Sequence, residues 1–153
     1  MSSPPPLPEL TAHLGFWLRY VSNHVSHGFA GKLSARGVTV AEWVTMRALY
    51  GKEPTPPSRL AKELGMTRGA ITKLADRLIA KALIVREASP DDGRAHTLAL
   101  TPRGTKLAPD LAALAEQNEA EFFDCLSAAE RETLDRLLRR MVAHRQMAAI
   151  PIE

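Results

Sequence analysis

The sequence predicts a mainly α-helical fold with one small β-hairpin: two helices, a helix-turn-helix, the hairpin, then two more helices. Three observations carry this reading. Leu and Ala dominate the apolar residues while aromatics make up 5%, a balance that favours helices. The stretch LAKELGMTRGAITKL, residues 60–74, reads as two short helices about a tight turn. Residues 83–101 then alternate with a period of two around a polar tip, SPDDGR.

Each element has its own signal. Leu10, Leu14, Trp17, Leu18, Val21 and Val25 recur at three- and four-residue spacing, which predicts a first helix over about 7–30, with Gly28 and Gly31 marking its fraying end. Thr39 with Glu42 three residues on is a capping box for a second helix, which Gly51 closes before the prolines at 54, 56 and 57. Thr55 is placed to cap a third helix, with Pro56 at its first position. Gly65 stops that helix, and Thr67 caps a fourth running to about Ala82. LIVREA and AHTLALT are the strands. Thr101 and Pro102 open a long fifth helix to about Cys125, in which Pro109 predicts a kink. Ser127 and Glu130 form a second capping box, opening a last helix that bears Leu134, Leu137, Leu138, Met141 and Val142.

With 153 residues the chain can build one domain with a real core, or two small lobes. Its single cysteine, Cys125, excludes an intrachain disulfide, fits a reducing cytoplasm, and is expected as a buried structural thiol. MSSPPPLPEL lacks the basic and apolar regions of a signal peptide and reads as an extended arm. No apolar run approaches a membrane span.

Charge is divided along the chain. Residues 59–106 hold ten Lys and Arg against five acids, whereas residues 107–153 hold five Arg against nine acids. A basic middle points to a polyanionic partner there. With Ile71 as reference on the fourth helix, Leu74, Ala75, Leu78, Ile79 and Ala82 share one face. Gly69, Lys73 and Asp76 lie opposite, flanked by Thr72 and Arg77. Arg68 stands in the first turn, where a groove-reading helix enters DNA. Arg68 and Thr72 suit base edges, Lys73 and Arg77 suit phosphates, and Gly69 admits a close backbone approach. Ser58, Thr67 and Ala70 complete the expected DNA contacts. A solvated basic face would look the same on a lone helix; the preceding turn and the following hairpin favour nucleic acid.

The hairpin after this helix makes the arrangement a winged helix-turn-helix. Arg94 at its tip suits a narrow minor groove, whose negative potential is enhanced. Asp92 is expected to orient the wing by accepting from Arg94, Arg77 or a backbone amide.

At this point the sequence resembles the MarR family of transcription regulators. The resemblance rests on DDGRAHTLALTPRG, with Asp92, Arg94, Leu98, Leu100, Thr101 and Gly104, joined to LAKELGMTRGAITKLADRLIAKALIVR. It spans about residues 10–146 and implies one MarR-like domain. A helical dimerisation lobe would take 7–31 and 102–148, and a winged helix-turn-helix lobe 39–101. It also implies a homodimer on a pseudo-palindromic operator of double-stranded DNA, and most simply a cytoplasmic repressor. Relief by a small aromatic or phenolic effector is implied too, with His13, Trp17, Trp43 and Arg47 as the expected pocket. Oxidant-sensing relatives carry a cysteine near the start of the first helix, and this chain has none there. His24 and His27 have a metal-compatible spacing but no third partner nearby, so no metal or other cofactor is expected. No nucleophile–base pair or glycine-rich phosphate loop points to an enzyme. The competing reading is a winged-helix module that binds a protein and not DNA, and the basic recognition face argues against it.

Overall fold

Six α-helices and a two-stranded hairpin follow in the predicted order in a computed structural model that describes residues 1, 3–89, 91 and 95–147. They are α1 (Leu14–Ser34), α2 (Val40–Leu49), α3 (Pro57–Leu64), α4 (Arg68–Ala80), β1 (Ile84–Ala88), β2 (His96–Leu100), α5 (Pro102–Phe123) and α6 (Ala128–Arg145). The predicted tip residues Asp92 and Arg94 lie outside the described residues.

Short polar side chains start the helices. The Thr67 hydroxyl accepts from the Ala70 amide and the Thr101 hydroxyl from the Gly104 amide, each satisfying a donor the helix leaves free. Ser127 and Glu130 form the reciprocal box that was expected, at 2.9 and 3.2 Å.

Several expectations are corrected. α1 begins at Leu14: the prolines keep the arm extended, and only a 3-10 turn, Leu10–Ala12, precedes His13. Gly28 and Gly31 lie inside α1, which runs on to Ser34. Gly28 is there because the Asn118 amide of α5 crosses it, so that a Cβ would sit 3.0 Å from Asn118 Oδ1. Asn118 Nδ2 donates to the Val25 carbonyl, and Lys32 donates to Asn118 Oδ1. The capping box expected at Thr39 and Glu42 is only half made. Thr39 accepts from the Glu42 amide, but the Glu42 side chain turns inward to Lys81.

Thr55 does not cap α3. Its backbone N–H and C=O both bond Leu98, at 2.9 and 2.8 Å, leaving Pro56 as the N-cap and Pro57 as the first helical residue. The bridge pairs Leu98 on the outer edge of β2, opposite the side that faces β1. α4 ends at Ala80, and Ala82 leaves the helical face in a left-handed conformation with φ 59°. α5 contains Pro109 and ends at Phe123, two residues before the expected end at Cys125. Cys125 is exposed, not buried, because the turn between α5 and α6 puts it outside the core.

The core joins α2, α3, α4 and the hairpin to the end of α1 and the first half of α5. Leu33, Met46, Leu60, Ile71, Leu78, Ile84, Leu98 and Leu111 are its fully buried members. Each contributes about 1.5–3 kcal/mol by leaving water, and truncating Leu78 to Ala would cost about 2–5 kcal/mol. β1 and β2 are antiparallel, in register from Ile84 opposite Leu100 to Ala88 opposite His96. α5 is held against the hairpin by a close approach at Gly104, where a Cβ would stand only 2.1 Å from the Leu83 carbonyl oxygen.

The rest of the chain is helical but not sealed. α6 has no buried residue. Its Leu137, Leu138, Met141 and Val142 are 40–49% exposed, and Trp17, Leu18 and Val21 of α1 are 39–47% exposed. These apolar stripes are what the spacing predicted, and the described residues leave them partly open.

Candidate nucleic-acid interface

The turn between α3 and α4 aims the recognition helix. Gly65 takes φ 64°, ψ 31°, a conformation open to glycine, and the Met66 amide closes the turn on the Ala61 carbonyl. One face of α4 is locked into the core through Ile71, Leu74, Ala75 and Leu78. The opposite face must then look outward, and Thr67, Arg68, Gly69, Thr72 and Lys73 are exposed there. Ala70 is half-buried, and Ser58 is exposed in the first turn of α3. Among the described residues no acid pairs with Arg68, Lys73 or Arg77. The helix thus presents basic side chains that have no acidic partner among the described residues.

Two details refine the chemistry. The Thr72 hydroxyl donates to the Arg68 carbonyl at 3.0 Å, so its lone pairs remain to accept from a base amine while its proton is already used. An added Cβ at Gly69 would find only Thr67 Oγ1, at 4.0 Å. Nothing among the described residues requires a glycine at this position.

Arg77 is exposed on the flank, where it lines a cleft of about 520 Å³ with Ser34, Thr39 and Ala41 beside the α1–α2 turn. Asp76 does not stand as a bare acid beside the basic strip. Arg86 of β1 donates to its Oδ1 at 3.0 Å, which ties the recognition helix to the base of the hairpin. Thr72, Asp76, Arg86 and His96 line a cleft of about 360 Å³ between helix and hairpin. The sequence reading missed Arg86 and His96. The alternation along the strands could have found them: Arg86 opposes Leu98, two residues from Ile84 on the same strand face.

The four residues expected around an effector lie at the start of α1 and on α2. Trp43 is packed in the core at 8% exposure, and Arg47 is exposed on α2. His13 occupies the cap of α1, and Trp17 donates its ring N–H to the Thr11 carbonyl. None of the five principal clefts among the described residues is lined by any of the four. His24 stacks on Tyr20 with centroids 4.8 Å apart. Among the described residues no cluster of three or more His, Cys, Asp or Glu could hold a metal, and no helix is long and apolar enough to cross a membrane.

Similarity to known proteins agrees with this geometry. The model of the MarR family matches residues 36–95. A candidate transcriptional regulatory protein for the hcr operon of Thauera aromatica is 31% identical over 144 residues, covering 94% of this chain and 86% of that protein. A mutant of MarR from E. coli, solved with operator DNA, superposes with a TM-score of 0.75 at 26% identity, over 84% of this chain and 93% of that one. BpsR of Bordetella bronchiseptica, whose DNA binding is regulated by 6-hydroxynicotinic acid, superposes with a TM-score of 0.75 at 25% identity, over 89% and 97% of the two chains.

Proposed function

The chain belongs to the MarR family of transcriptional regulators, and on that premise we propose that it is a homodimeric repressor that sets two copies of α4 into successive major grooves of a pseudo-palindromic operator. The family's members regulate transcription and are not enzymes. The observation that carries the reading is the strip Arg68–Gly69–Thr72–Lys73: exposed, unpaired among the described residues, and aimed outward by a buried face behind it.

In this reading Arg68 and Thr72 meet base edges, while Ser58, Thr67, Lys73 and Arg77 meet backbone phosphates. Gly69 and Ala70 keep that surface low enough for contact. Arg94 enters the minor groove and Asp92 orients it. Residues 39–101 form the DNA-binding lobe. Residues 7–31 and 102–148 form the dimer lobe, whose exposed apolar stripes on α1 and α6 need a second copy to leave water. A DNA target is what supports a cytoplasmic location.

A small aromatic effector is proposed to relieve repression, supported by the 6-hydroxynicotinic acid that regulates BpsR. His13, Trp17 and Arg47 would meet it only where a second copy or a shift of α1 closes a pocket over them. The effector acts by binding one spacing of the two recognition helices better than another.

Fluorescence anisotropy on the gene's own upstream region, across a salt series, tests the proposal. Lys73→Ala should flatten the salt slope by about one unit, and Arg94→Ala should lower affinity. Unchanged slope and affinity in both variants would remove DNA from the account.

A further inference from the structure

The recognition helix ends in a turn that α5 holds from the other side. After Ala80 the Ala82 amide donates to the Ile79 carbonyl and the Leu83 amide to the Leu78 carbonyl, both at 2.9 Å, the closing turn in which glycine is the usual residue. Here the left-handed position is held by Ala82, with φ 59°. A Cβ disfavours that conformation, so the surroundings must hold it. Thr101 supplies the hold. Its hydroxyl donates to the Ala82 carbonyl at 2.7 Å and accepts from the Gly104 amide at 3.0 Å, while its own amide donates to the Leu83 carbonyl at 3.0 Å. The residue that caps α5 therefore binds both carbonyls that follow the recognition helix. Gly104 seats α5 on the same spot, where an added Cβ would stand 2.1 Å from the Leu83 carbonyl oxygen. Elsewhere the two helices meet mainly through intermediaries: α4 packs on α2, α3 and β1, and α5 on α1, α2 and β2.

We propose that Thr101 is a positioning residue for operator recognition: with Ala82 it fixes the angle between α4 and α5, and so sets the half-site spacing that the dimer accepts. The inference rests on the operator-binding dimer proposed above and adds to it a specificity determinant outside the recognition face. The lever is long. α4 has 13 residues and is about 20 Å in length, so a turn of about 5° at its end displaces the far end by up to about 1.7 Å. Two-fold symmetry doubles this to roughly 3.4 Å, the rise of one base pair. A joint that gave way by a few degrees would let the two recognition helices follow half-sites set one step closer or farther apart. The bonds at Thr101 oppose that movement, because turning α4 against α5 would pull the Ala82 and Leu83 carbonyls from their donors.

Spacer-variant duplexes test this directly. The full chain is titrated by fluorescence anisotropy against its upstream operator with the centre unchanged, lengthened by one base pair or shortened by one. The natural chain should prefer the unchanged duplex by about tenfold or more. Thr101→Val keeps the shape of the side chain and removes both hydroxyl bonds, and should cut that preference to about threefold. Thr101→Ser keeps both bonds and should keep the preference. A role in stability alone lowers the folded fraction and weakens binding to all three duplexes by the same factor, so the ratio between duplexes separates positioning from stability. Ala82→Gly frees the left-handed turn without removing a bond. It should melt no lower than the natural chain and still lower the preference, which keeps the test decisive if Thr101→Val does not fold. A natural chain that binds the three duplexes equally, or an unchanged ratio in every folded variant, overturns the positioning role and leaves operator binding standing. A natural chain that binds none of the duplexes overturns the operator reading and this inference with it.

Discussion

Lys81 Nζ stands 2.6 Å from Glu42 Oε2 and 2.7 Å from the Gly37 carbonyl, joining the end of the recognition helix to α2 and to the turn before it. Glu42 is 2% exposed, so Lys81 is the charge that makes its burial tolerable. Lys81→Met should therefore leave a buried carboxylate without a partner. Because Lys81 is itself 38% exposed, the expected loss is about 2 kcal/mol, below the range for fully buried pairs. Urea unfolding checks it, and the double variant Lys81→Met with Glu42→Leu should recover part of the loss.

Gly104 and Gly31 make a contrasting pair. A methyl group at Gly104 meets the Leu83 carbonyl oxygen at 2.1 Å, so Gly104→Ala must push α5 off the hairpin. The expected cost is about 2–4 kcal/mol in thermal unfolding. Gly31 lies within α1 with nothing inside 4 Å of its added Cβ, and Gly31→Ala should stabilise by about 0.5–1 kcal/mol.

Gly69 separates stability from binding. Gly69→Ala has room within the protein and gains helix propensity, so the melting temperature should hold or rise slightly. If the backbone at Gly69 closes on DNA, operator affinity should fall about tenfold in the same variant. Unchanged affinity would mean that α4 docks with this residue clear of the duplex.

Acid should loosen the start of α6. The bond from the Ser127 amide, then the one with its side chain, holds the Glu130 carboxyl below its ordinary value. A carboxyl lowered in the folded state adds stability above its unfolded value and loses it as pH falls through the folded value. Glu130→Gln should therefore reduce the acid dependence of the unfolding midpoint between about pH 5 and pH 3 while leaving the midpoint near pH 7 little changed, since amide and carboxylate can both accept from the Ser127 amide. An equal acid dependence in both proteins would show that the box contributes nothing as a charge.

The elements that were legible in the sequence are those whose cause is local. Gly65, Thr67 and the apolar spacing from Ile71 to Leu78 define the turn, the cap and the buried face within 14 residues, so the outward strip Arg68–Thr72–Lys73 follows from them. Ser127 with Glu130 is equally local, and α6 starts there. What only the tertiary structure decided involves partners far apart in the chain. Glu42 could serve its own cap or Lys81, 39 residues away, and burial chose Lys81. Thr55 could cap α3 or bridge Leu98, and the open edge of β2 took both of its backbone groups. Gly28 looked like a helix end until Asn118 crossed it, and Asp76, placed only on the outward face, is bound by Arg86 of the hairpin. Periodicity and capping act over one or two turns and can be read along a line. The competition between a local partner and a distant one is settled only when folding brings the distant one near and removes the water between them.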